Sequence, residues 1–201
     1  MQLHIEGNGA FGSFLREILT PHFEMKESAP SVILAVPISA YAEVGEKFKD
    51  RHLINVCSVQ LPSTQTLLKL TDQVTSIHPL FGRRTPADKR NAILTHSCIA
   101  DNDTWSSGGP EADFLAGFSK VSAIFSKWGD KQLTPELHDQ LMAKTHRNAL
   151  LAAKQAKVFV ELAKDVPDFL IPNSFRLLRD FVKTLEDMPP GTVESILANP
   201  Y

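Results

Sequence analysis

Two short stretches of this chain combine residue types and spacings that could do chemistry. In HIEGNGAFGSF, Gly7, Gly9 and Gly12 form a G-x-G-x-x-G pattern between an apolar run and a helical one. Such spacing serves a dinucleotide: the first glycine permits the tight turn, the second lets the backbone approach a pyrophosphate, and the third allows close helix–strand packing, with the anion at the helix N-terminus. Gly7, Asn8, Gly9, Ala10, Phe11 and Gly12 are therefore expected to bind a cofactor. In SIHPLFG, the apolar run VTSI delivers His78 at its end, and Pro79 follows at once. A neutral imidazole can take a proton from a substrate near pH 7. The bland alternative is a histidine that caps a strand.

The second apolar run, HFEMKES, should end on the group that meets the adenosine ribose. Glu27 lies twenty positions after Gly7, near the spacing expected of an acid that accepts from a 2′-hydroxyl and repels a 2′-phosphate. NAD is favoured on that ground and NADP stays open, because Glu24 could be the acid and Lys26 with Ser28 could instead hold a phosphate. Pro37, after the third apolar run, is expected at the same crevice.

These residues need a scaffold that brings strand ends together. Through the first part of the chain, β-branched or apolar runs alternate with helical stretches, which implies βαβ units and a mostly parallel sheet. Phe11, Phe14, Leu15, Ile18 and Leu19 make one apolar helical stripe, stopped by Pro21. Between Met25 and Ser31 there is no room for the usual helix and third strand, so the fold class is α/β with an abbreviated Rossmann-type sheet. NAILTHSCIA is expected as a further strand, DNDTWSSGGPEAD as a loop, and EADFLAGFSKVSAIFSKWG as a helix closed by Gly129. From Thr134 the pattern is helical only, opening with a Thr cap, Pro135 and Glu136. The expected domains are 1–134, the dinucleotide-binding sheet domain, and 135–201, a small all-helical domain.

Composition narrows the classes. With 201 residues and 43% hydrophobic content the chain can bury a core, and a net charge of -2 without a basic block argues against nucleic acid. No window is apolar enough to span a bilayer, and MQLHIEGNG starts a strand rather than a signal segment, so a cytoplasmic protein is expected. Cys57 and Cys98 each sit in an apolar run and are expected as reduced core thiols. No histidine or cysteine spacing matches a metal motif, and no metal is expected.

Taken in order, GNGAFG, VILAVPI, INVCSV ending near Ser58, IHPLFG and ELHDQLMA resemble the prephenate dehydrogenase (TyrA) family, which includes arogenate and cyclohexadienyl dehydrogenases. The HPLFG element is the most specific of these. The resemblance implies an NAD(P)-dependent oxidative decarboxylation of prephenate or a related cyclohexadienyl acid, of the tyrosine-biosynthesis type. It implies His78 as the catalytic hydrogen-bond acceptor and Ser58 as its support. It further implies Arg176, with Arg147 and His138, as substrate-binding residues for a dicarboxylate, and Asp139 beside His138 at the start of the long helix. A helical domain that builds substrate pocket and homodimer follows from the same likeness, in a short variant. Gln60 stands where the family often has lysine, and Arg83 and Arg84 follow HPLFG in place of small or acidic residues. Two other readings compete: a degenerate, non-catalytic NAD-binding module, and a small NAD(P) imine or cofactor reductase.

Overall fold

The computed structural model describes residues 1–98, 109–186, 188 and 190–201. It divides into two compact units, Met1–Asp139 and Gln140–Tyr201. Ile99, Ala100 and the first part of the expected polar loop, 101–108, lie outside the described residues, as does Pro189.

The first unit is built on a seven-stranded sheet. β1 (Gln2–Glu6), α1 (Ala10–Leu19), β2 (Glu24–Met25), β3 (Ser31–Leu34), α2 (Tyr41–Lys47), β4 (His52–Asn55), α3 (Gln60–Leu68) and β5 (Val74–Pro79) follow one another. After them come β6 (Asn91–His96), α4 (Pro110–Phe118), β7 (Ala123–Phe125), β8 (Lys127–Trp128) and β9 (Lys131–Gln132). The spatial order is β2-β1-β3-β4-β5-β6-β7. Strands β1 to β5 are parallel, β6 is antiparallel to β5, and β7 is parallel to β6. Both faces are covered, so β3 and β4 are buried along their whole length, as interior parallel strands must be. One apolar layer packs Phe14, Leu15, Leu19, Phe114 and Phe118 on one face; the other packs Tyr41, Phe48 and Leu67 on the opposite face.

The expected abbreviation is real. β2 lies on one side of β1, and the chain returns directly to β3 on the other, so order reverses at β1. A crevice outside the carboxyl ends of β1 and β3 is where such sheets bind ligands. β2 pairs only with Gln2 and Leu3, and Arg16 takes over beyond it: its Nη2 donates to the carbonyls of Ile5 at 2.6 Å and Gly7 at 3.0 Å.

One expected helix is corrected. The stretch 111–129 is helical only to Phe118. Lys120 N bonds back to Gly117 O, Ala123 N bonds to Arg90 O, and the β-branched and aromatic run that follows joins the sheet beside β6. An open strand edge outcompetes helix extension for residues of that type. Gly129, at φ +64, turns the β8–β9 hairpin instead of closing a helix.

α5 (Pro135–Met142) begins at the Thr134 cap, whose Oγ1 accepts from Leu137 N at 3.2 Å. A π-helical turn over Ala143–Arg147 joins it to α6 (Asn148–Leu162), and α7 (Asn173–Glu186) and α8 (Pro190–Leu197) complete the second unit. α6 and α7 pack on each other, with Ala153, Ala156 and Val182 buried. Among the described residues no helix is long and apolar enough to cross a membrane.

Candidate active site

The glycine loop meets the requirements of a phosphate cradle. Gly7 has φ +116, and a Cβ there would come 2.2 Å from the carbonyl oxygen of Ala35, so the loops after β1 and β3 touch and only glycine fits. Gly9 is different: a Cβ on it would meet nothing within 4 Å. It is the N-cap of α1 and supplies no side-chain cap, which leaves the first-turn N–H groups to a ligand. Asn8, Gly9 and Ala10 are exposed, Phe11 is half-buried, and Pro37 stands exposed just past β3 on the same edge. The residues present therefore fit a dinucleotide pyrophosphate.

Glu27 lines a cavity at the β1 edge together with Ile5 and Arg16. β2 stops beside Leu3, and Glu27 lies in an exposed turn whose main-chain carbonyl accepts from Arg51 Nη1 at 2.5 Å. The early end of the strand, which sequence spacing could not reveal, leaves this edge of β1 open. A cation, Arg16, lines the same edge, and sequence reasoning missed it because it reads as one more polar residue on an amphipathic helix.

At the carboxyl end of β5, His78 is 3% exposed and part of a relay. Its Nδ1 lies 2.8 Å from Nε2 of His138, and Nδ1 of His138 lies 2.8 Å from Oδ1 of Asp139. Oδ1 also accepts from Gln60 N and Oδ2 accepts from Leu61 N, both at 2.8 Å. Asp139 thus caps the N-terminus of α3 from a distant part of the chain, where the helix dipole favours negative charge. The bonds define the tautomers. The carboxylate accepts, so His138 carries its proton on Nδ1 and offers the Nε2 lone pair. His78 then donates from Nδ1, and its Nε2 becomes the acceptor nitrogen. His138 and Asp139 have no exposed surface, and both ring nitrogens of His138 are engaged within the relay.

The loop after β4 supports this arrangement. Asn55 pairs with Ser76, so β4 and β5 end toward the same sheet edge; Ser58, three residues past β4, is half-buried. Gln60 is fully buried and accepts at Oε1 from Thr95 Oγ1, 2.7 Å away, while its Nε2 donates to Cys57 O. A lysine could not accept from Thr95, which gives the departure at this position a structural cause. Burial pushes the Cys57 thiol up to about 11, which favours the protonated thiol.

The arginines expected to bind substrate lie in the second unit. Arg176 donates from Nη2 to the carbonyl of Asp168 at 2.6 Å and from Nε to that of Ile171 at 3.3 Å. Arg147 donates to the carbonyl of Tyr201. Arg83, past HPLFG, pairs with Glu17 at 3.0 Å on the surface.

No family model matches the chain, and no curated protein matches it. Solved structures do share its fold. One is prephenate dehydrogenase of A. aeolicus in complex with hydroxyphenyl propionate and NAD+, with TM-score 0.67 and 16% identity over 99% of this chain and 83% of that one. Another is the arogenate dehydrogenase of Synechocystis, with TM-score 0.63 and 15% identity over 99% and 84%. The chain has the fold of these dehydrogenases over nearly its whole length.

Proposed function

We propose that this chain is a nicotinamide dinucleotide-dependent dehydrogenase that oxidatively decarboxylates prephenate or a close cyclohexadienyl acid. The observation that carries the reading is the His78–His138–Asp139 relay, set at the same sheet edge as an open glycine cradle in a fold shared with prephenate and arogenate dehydrogenases. The dinucleotide, held at Gly7 to Gly12, would supply the hydride acceptor. His78 accepts at Nε2 the proton of the ring hydroxyl while hydride leaves the same carbon; the carboxylate then departs as carbon dioxide and the ring becomes aromatic. His138 and Asp139 hold the acceptor tautomer and stabilise the positive charge that His78 gains. Ser58 supports the substrate hydroxyl. Arg147 and Arg176 supply cations for a dicarboxylate, and the second unit pairs two copies of the chain.

The test is reduced-dinucleotide formation with prephenate or arogenate, each with NAD and with NADP. Turnover should appear with one pair at least, and His78→Ala should lower kcat by at least ~100-fold, the scale of a lost acid–base group. Arg147→Ala or Arg176→Ala should raise KM for the acid and leave that for the dinucleotide. Dinucleotide binding without turnover on any pair would instead identify a non-catalytic binding module and overturn the reading.

A further inference from the structure

The opposite, amino edge of the sheet holds a second polar cluster that the proposed reaction does not use. His52 opens β4, Thr75 is the second residue of β5, and Glu111 lies in the first turn of α4. β6 runs antiparallel to β5, so its end falls at the amino edge of the parallel strands and carries Cys98 there. His52 and Glu111 are each 3% exposed. One ligand atom from each of His52, Cys98 and Glu111 lies within 4.8 Å of the others.

Hydrogen bonds orient the donor atoms of this cluster toward one another. Ser31 Oγ donates to Pro110 O at 3.3 Å, so it accepts from His52 Nδ1, 3.0 Å away, and the imidazole proton sits on Nδ1. The lone pair on Nε2 faces Thr75 Oγ1 at 2.8 Å, but the single hydroxyl proton of Thr75 goes to Glu111 Oε1 at 2.5 Å. Cys98 Sγ lies 3.0 Å from the other carboxylate oxygen, Glu111 Oε2.

We infer that His52, Cys98 and Glu111 form a binding site for a borderline-soft divalent cation of the zinc type. One imidazole, one thiolate and one carboxylate are the donor set such an ion takes, and a hard cation such as magnesium would not select the thiol. The ion occupies the Nε2 lone pair and a carboxylate oxygen, and replaces the thiol proton, which is released to solvent. Ser31 then accepts the Nδ1 proton and Thr75 donates to the carboxylate, the outer bonds that orient metal ligands. Donors around a tetrahedral zinc stand about 3.3–3.8 Å apart, given its bond lengths, so the cluster closes by side-chain movements of roughly 1 Å. Three protein ligands leave one tetrahedral position to water.

The full chain, stripped with a chelator, is titrated with Co2+ while the thiolate-to-cobalt charge-transfer absorption is followed, and Zn2+ is then added in competition. The expected result is one cobalt per chain with the charge-transfer band, displaced by zinc. The band should vanish in Cys98→Ser and persist in Cys57→Ser, and Glu111→Gln should weaken binding by at least ~10-fold. Absence of the band in the unaltered chain, or an equal band in Cys98→Ser, overturns the inference. The unaltered chain is itself decisive, so poor folding of a variant does not obscure the answer. Neither result depends on turnover at His78.

Discussion

A histidine that is almost fully buried acts as a base only if its tautomer is held, and here the hold comes from a carboxylate two residues removed along a hydrogen-bonded chain. Asp139→Asn preserves shape and reverses that logic. Oδ1 and Oδ2 of Asp139 face three N–H groups, from Gln60, Leu61 and His138, and an amide has only one oxygen to offer them. With the amide nitrogen toward His138, the His138 proton moves to Nε2, His78 must accept at Nδ1, and its Nε2 now carries the proton that catalysis needs removed. We expect kcat to fall by at least ~100-fold with dinucleotide affinity retained. Steady-state kinetics beside calorimetric titration of the dinucleotide check this; a kcat within about threefold of the unaltered chain would remove Asp139 from the mechanism. The motifs HPLFG and ELHD were legible in the sequence. Their union was not, because residues 78 and 138 meet only through tertiary packing, and the role of Gln60 depends on Thr95, another neighbour remote along the chain.

Elements show where local pattern suffices and where it does not. The stripe on α1 and the alternation of strands and helices carry their own periodicity, so the sheet and its glycine turn could be read directly. The end of β2 and the fate of residues 119–129 could not, since each is decided by a partner: β2 pairs with only two residues of β1, and β7 is drawn to the free edge of β6. The glycine turn itself separates structure from binding. Gly7→Ala forces a side chain onto φ +116 and against the Ala35 carbonyl, and should destabilise the fold by more than ~2 kcal/mol. Gly9 has φ -68 and ψ 176, which alanine adopts freely, and open space around it. Gly9→Ala should therefore leave Tm within about 2 °C of the original while weakening dinucleotide binding at least ~10-fold. Thermal melts and calorimetry on the two variants test the pair; unchanged affinity in Gly9→Ala would mean that no pyrophosphate approaches this loop.

For the whole molecule, the question is what covers the second unit. Phe159, Leu162, Phe169, Leu170 and Leu177 are each at least 60% exposed, on α6, on α7 and on the turn that joins them. So many large apolar side chains exposed on one small helical unit point to association. A second copy of the chain is the occupant we expect, since a net charge of -2 offers little repulsion between copies and a two-fold pairing lets the same residues serve both sides. The inward stripe of the unit, Ala153, Ala156 and Val182, is separate from these residues, so charges placed outside it need not unfold the helices. Sedimentation velocity at ~10 µM, a concentration well above the Kd of an ordinary stable interface, should give a dimer. Leu162→Glu with Phe169→Glu should give a monomer of unchanged helical content, because two buried carboxylates without partners oppose pairing. A monomeric unaltered chain, or a variant that still pairs, would place the apolar residues outside any homodimer.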